Sequence, residues 1–160
     1  MTVASPLTTA DFRRFGDVIQ PGAAAGRPIN AGQCLRFHDL ARIDCADGAV
    51  GISLFRAEPV TMPLTLTMME RHPLGSQAFL PLGGTPYLVI VAEDAGGRPG
   101  PPLAFWAAPG LGVNYLRGTW HGVLAPLVAA QDFAVLDYVG PDSNLEEHVL
   151  ARPVRIHAAP

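Results

Sequence analysis

Apolar residues come in short bursts along this chain, and from Val50 onward Gly and Pro separate one burst from the next. Residues 50–55, 64–69, 78–82, 87–92, 103–107 and 133–139 each have the length of a strand and are bounded by turn-forming residues. Several such runs in succession predict an all-β sandwich or barrel. The 17 Gly and 16 Pro leave little room for long helices. One short helix is expected near the start. Thr8 precedes Asp11 at capping-box spacing, Phe12 and Phe15 share a face, and Gly16 ends the helix. Asp17-Val18-Ile19 then opens the sheet. A chain of 160 residues fits a single domain, here residues 1–160, large enough to bury a core without staples.

The pattern is most informative at Leu64-Thr65-Leu66-Thr67-Met68-Met69-Glu70. Its even positions are Leu, Leu, Met and then Glu, so a strand of period two carries Glu70 and His72 onto the apolar face. A buried carboxylate needs a partner or a purpose. The alternative is a strand that ends near Met69, with Pro73 marking a turn and Glu70 and His72 left in solvent. The run Glu70-Arg71-His72-Pro73-Leu74-Gly75-Ser76-Gln77 gathers a carboxylate, an imidazole and a carboxamide, and His121 supplies a second imidazole downstream.

Composition excludes several classes. With 49% hydrophobic and 16% charged residues the chain is too apolar for disorder. No apolar run approaches the roughly 18 residues of a membrane span. Asp11, Arg13 and Arg14 stand where a secretory leader would need an apolar core, so cytoplasmic residence is expected. Cys34 and Cys45 are accordingly expected as free thiols. A net charge of −3 with scattered basic residues lacks the footprint of a nucleic-acid binder. All eleven basic residues are arginine, which rules out a lysine Schiff base and a P-loop lysine. Arginine can still grip a carboxylate through two parallel hydrogen bonds.

Spacing along the chain resembles the cupin barrels. Glu70, His72 and Gln77 occupy the ligand positions of the first cupin motif, with Gly84 following. Leu116-Arg117-Gly118-Thr119-Trp120-His121 fits the end of the second motif except at Leu116. The resemblance implies a double-stranded β-helix, or jelly-roll, with a short N-terminal helix. It also implies a metal position at Glu70, His72, Gln77 and His121. Oxygen and imidazole donors suit Ni, Mn, Fe or Zn, while a neutral carboxamide is a weak ligand, so a divalent metal is an option and not a requirement.

A narrower likeness covers most of the chain. Leu7-Thr8-Thr9-Ala10-Asp11-Phe12, Phe15-Gly16-Asp17-Val18-Ile19, Ile29-Asn30-Ala31-Gly32, Arg36-Phe37-His38-Asp39-Leu40, Phe55-Arg56-Ala57, Glu70 through Phe79, Gly112-Val113-Asn114-Tyr115 and Trp120-His121 occur in order. This set resembles the ureidoglycolate lyase family. The resemblance implies a homodimeric enzyme that eliminates urea from (S)-ureidoglycolate to give glyoxylate late in allantoin and purine breakdown. The family pattern continues after Trp120-His121 with His and Pro, whereas this chain has Gly122-Val123.

Such an elimination needs a base for the hydroxyl proton, help for the departing urea, and a cation for the carboxylate. Glu70, His72 and His121 are the candidates for the chemistry, with either Glu70 or His121 as the base. Arg56, at the end of an apolar strand, is the first candidate for the carboxylate. Arg71 and Arg117 are the alternatives, although the alternation that turns Glu70 inward turns Arg71 outward. Gln77 and Asn114 can hydrogen-bond the ureido or carboxylate oxygens. Tyr115 and Trp120 are expected to pack. His38-Asp39 lacks a nucleophile elbow and is read as a structural pair or a dimer contact. His148 and His157 receive no role. Two other readings use the same positions: a metal-dependent cupin isomerase or dioxygenase, and a non-catalytic cupin that binds a small acid.

Overall fold

The computed structural model describes residues 1–22 and 25–158. Local signals shape its beginning. After β1 (Thr2–Val3) and β2 (Ser5–Pro6), the Thr8 hydroxyl accepts the Asp11 N–H and caps α1 (Thr9–Phe12). The chain turns at Phe15 into β3 (Gly16–Ile19), where a Cβ at Gly16 would run into the Asn114 carbonyl. A hairpin of β4 (Arg27–Ile29) and β5 (Cys34–Arg36) stands apart as its own small sheet.

The remaining strands are β6 (Ala49–Ala57), β7 (Leu64–Arg71), β8 (Gln77–Pro81), β9 (Tyr87–Ala92), β10 (Leu103–Ala107), β11 (Gly112–Tyr115), β12 (Trp120–His121), β13 (Ala125–Pro126), β14 (Gln131–Val139) and β15 (Glu146–His157). They form two sheets. The larger runs β1-β15-β7-β12-β9-β10-β2, with β13 also paired to β9, and the smaller runs β3-β11-β8-β14-β6. Together they make an all-β, cupin-like barrel. The six strands expected from the apolar runs are all present, with ends displaced by no more than two residues.

Each sheet sends alternate residues into a shared interior. Val89, Val91 and Phe105 from the larger sheet meet Phe79, Val113, Tyr115, Phe133 and Val135 from the smaller, and Phe12 and Phe15 close one side. The larger sheet is also covered on its other face, where Leu88, Ile90, Ala92, Met69 and Trp120 form a second cluster. All six residues of β9 are therefore buried, and its sequence reads as an unbroken apolar run.

This second cluster corrects the reading of β7. Leu66 packs in it beside Met69, while Met68 and Glu70 line a cavity on the inner side. The period-two pattern therefore slips near Thr67. A bulge accompanies the slip, because β15 advances from Val149 to Val154 while β7 moves only from Met68 to Leu66. Glu70 faces inward as expected, and Leu66 does not share its face.

Cys34 and Cys45 are free thiols. No helix among the described residues is long and apolar enough to cross a membrane.

Candidate active site

Strands β7 and β12 pair with Glu70 directly opposite His121, which puts both side chains on one face. His72 follows the end of β7, and its ring donates from Nδ1 to the Asn144 carbonyl at 2.6 Å. A carbonyl can only accept, so Nδ1 carries a proton; the lone pair of the neutral imidazole is then on Nε2. Glu70 Oε1 stands 4.0 Å from His72 Nε2 and 3.9 Å from His121 Nδ1. The two imidazole rings are 5.2 Å apart. Tyr115, on β11, lies over His121 at 4.5 Å with the rings 2° from parallel. Beside them opens a cavity of about 240 Å³ whose wall combines Glu70, His121 and Tyr115 with Phe55, Met68 and Phe79.

Burial sets the charge of these groups. His121 is 2% exposed, and desolvation, aided by the neighbouring His72, pulls its pKa down to about 3. It is a neutral imidazole at neutral pH. Glu70 is half-buried and its pKa moves upward, mainly by desolvation; His72 opposes the shift and Glu147 adds to it. A carboxylate with raised proton affinity is a better base than an exposed one. The Tyr115 phenol is also pushed up, by burial and then by the charge of Glu70, so it stays protonated.

The donor set fits a divalent metal. Glu70, His72 and His121 each offer a ligand atom, all within 4.8 Å of one another. Nε2 of both histidines is buried without a hydrogen-bond partner, which is costly unless something electrophilic meets it. The bond from His72 Nδ1 to a main-chain carbonyl is the outer contact that orients a metal-binding imidazole.

The sequence profile of the ureidoglycolate lyase family matches residues 1–157. The chain belongs to the ureidoglycolate lyase family. It is 51% identical to ureidoglycolate lyase 2 of Rhizobium meliloti (strain 1021) over 156 residues, 96% of each chain. Ureidoglycolate lyase of Rhodobacter capsulatus is 55% identical over 152 residues, 94% of each chain. That of Chelativorans sp. is 51% identical over 157 residues, covering 97% of this chain and 95% of the relative.

In this member of the ureidoglycolate lyase family the three candidate arginines are all occupied outside the cavity. Arg56 is paired with Asp132 through two hydrogen bonds of 2.7 and 2.9 Å. It is the neighbour of Phe55, which lines the cavity, so alternation turns Arg56 to the outer face. Arg71 bonds Asp94 at 2.8 Å and Glu146 at 2.6 Å and lies over the Trp120 ring. Arg117 is paired with Asp44. Asn114 is also directed elsewhere. It alternates with Tyr115 on β11, and its amide donates to Asp17 and to the Arg42 carbonyl.

Gln77 is opposite Tyr115 in the register of β8 and β11, and its amide donates to Asp137. Tyr115, expected only to pack, also covers the His121 imidazole. Two neighbours were not singled out in the sequence: Asn144 orients His72, and Asp137 holds Gln77. Only Asp137 had a signal available, as the polar residue continuing the inward series Phe133, Val135. His38 contacts Arg36 at 2.9 Å. His148 packs edge-on against Trp120.

Proposed function

We propose that this protein is a carbon–nitrogen lyase that eliminates urea from (S)-ureidoglycolate, releasing glyoxylate in allantoin and purine catabolism. The observation that carries the reading is the Glu70–His72–His121 cluster, of which Glu70 and His121 line a small cavity, within a chain of this family. Glu70 is the carboxylate on that wall and takes the substrate's hydroxyl proton. The carbonyl of glyoxylate forms as the carbon–nitrogen bond breaks, the bonding pair goes to the ureido nitrogen, and that nitrogen receives the proton from Glu70. Neutral His121 has one unprotonated nitrogen, which can hold a substrate hydroxyl or N–H or, in its place, a metal ion.

Among the described residues no arginine lines the cavity, so the substrate carboxylate needs another cation. A divalent ion held by Glu70, His72 and His121, with Gln77 as a further oxygen donor, would supply that charge and polarise the hydroxyl. Incubation with racemic ureidoglycolate should yield urea and glyoxylate in equal amounts. No product above the spontaneous rate overturns the proposal, and ammonia in place of urea would identify an amidohydrolase. Added Ni2+ should raise the melting temperature of chelator-treated protein, by about 2.7 kcal/mol of stability at a hundredfold excess over Kd. The gain should vanish in His72→Ala.

We further propose that the protein is cytoplasmic and works as a homodimer through the outer face of β6. Ile52 and Leu54 are 75% and 72% exposed there, beside Val50. Their neighbours in register are Leu136 and Ala134, so the apolar surface is continuous across two strands. Ile52→Glu should convert a dimer to monomers by light scattering; a wild-type monomer refutes the assignment.

A further inference from the structure

Gln77 and Asp137 form a couple that the proposed chemistry leaves unexplained. Gln77 is 4% exposed, and its Nε2 donates to Asp137 Oδ2 at 3.1 Å. Its Oε1 is buried with no partner. A carboxylate accepts and does not donate, so Asp137 decides which end of the amide faces it. The NH2 group is held, and the oxygen must lie on the other side.

The strands show which side that is. Gln77 is opposite Tyr115 across the β8–β11 pair, and side chains of opposed residues share a face. Tyr115 lies on His121 on that face. Asp137 continues the inward series of Phe133 and Val135 on β14, and its partner on β6 is Gly51. Gly51 brings no side chain to the carboxylate, and a Cβ there would collide with Val139. Left free, the amide could present either end to the interior. Bonded to Asp137, it turns its oxygen to the opposite side.

We propose that Asp137 is a positioning residue that locks the Gln77 carboxamide with its oxygen toward the site. There it accepts from an electron-poor partner, either a bound divalent cation or an N–H of a ureido group. The ureido alternative rests on the function proposed above; the lock itself does not. Donation to an anionic acceptor also polarises the amide and enriches its oxygen, so a neutral residue becomes a stronger ligand than an unsupported carboxamide.

The test compares wild type, Asp137→Asn, Gln77→Glu and the double variant Gln77→Glu/Asp137→Asn. In the double variant the new amide donates to the new carboxylate, and an acceptor oxygen returns to its original place. The side-chain NH2 of Gln77, identified by its loss in Gln77→Glu, should exchange slowly with solvent in wild type and about tenfold faster in Asp137→Asn. Calorimetric titration with Ni2+ and the KM for ureidoglycolate identify the partner. A roughly tenfold loss of Ni2+ affinity in Asp137→Asn marks a cation, and a tenfold rise in KM with unchanged Ni2+ affinity marks the ureido group. The double variant should recover most of either loss. Unchanged amide exchange, or changed exchange with both affinity and KM at wild-type values, overturns the proposal. A wild-type protein that makes no urea would sink the lyase reading alone, since amide exchange and Ni2+ titration need no turnover.

Discussion

The two faces of the β7–β12 ribbon carry opposite solutions to the same problem. On the outer face Arg71 bonds both Asp94 and Glu146 and lies over Trp120, whose indole N–H donates to Asp94 at 2.9 Å. The polar groups there find partners. On the inner face, one residue away along each strand, Glu70 and His121 oppose each other with a histidine nitrogen unpartnered and both pKa values displaced. Alternation alone separates a saturated clamp from a site kept chemically incomplete. Buried polar groups that stabilise a fold are satisfied, whereas those that act on a ligand wait for it.

Breaking the inner face should abolish activity and spare the fold. Glu70→Ala is expected to lower kcat/KM for urea release by about 10²- to 10⁴-fold, as for loss of a general base, with little change in melting temperature. Retention of more than a tenth of wild-type activity would remove Glu70 from the chemistry. The outer face should respond in the reverse sense. Trp120 is 2% exposed, and Trp120→Ala should destabilise by about 3–5 kcal/mol in guanidinium unfolding.

A gentler probe is pH. The ordinary histidine pKa is 6.5 and that of buried His121 is about 3, so the unfolded chain binds this proton more tightly. The contribution of His121 to stability is complete above about pH 6.5 and is lost as pH falls toward 3. Glu70 has the opposite sign: its raised pKa favours the folded state at low pH, and that advantage fades as pH rises through the folded value. Chelator-treated protein should therefore lose stability on acidification, with a shallower slope in His121→Gln. An unchanged slope would mean that His121 is not buried in neutral form. The smallest effect should come from Arg56→Ala. This arginine is paired on the outside, so KM should stay within about twofold of wild type. A large rise would bring Arg56 back as the carboxylate clamp.

Sequence patterning made the barrel legible because most of its strands bury one face or both. Long β15 escaped notice. Glu146-Glu147-His148 and Arg152-Pro153 give it neither an apolar run nor clean alternation, and its partners, not its composition, make it a strand. Glu70, His72 and His121, which the structure brings together, could be picked out as candidates because ligand chemistry and spacing coincide in them. The arginines could not. Arg56 ends an apolar strand and seemed available, yet its role follows from Asp132, distant in sequence and adjacent in the sheet. The alternation rule that placed Arg71 outside would have placed Arg56 there too, had Phe55 been recognised as a cavity residue.

The stacking of Tyr115 on His121 also gives the protein an optical reporter at the place where a ligand would arrive. Tyr115 is one of three tyrosines, and its buried ring lies parallel to an imidazole whose electronic character changes on protonation or coordination. Near-ultraviolet circular dichroism of unlabelled protein should register occupation of His121 directly, and Tyr115→Phe identifies the band that carries the signal.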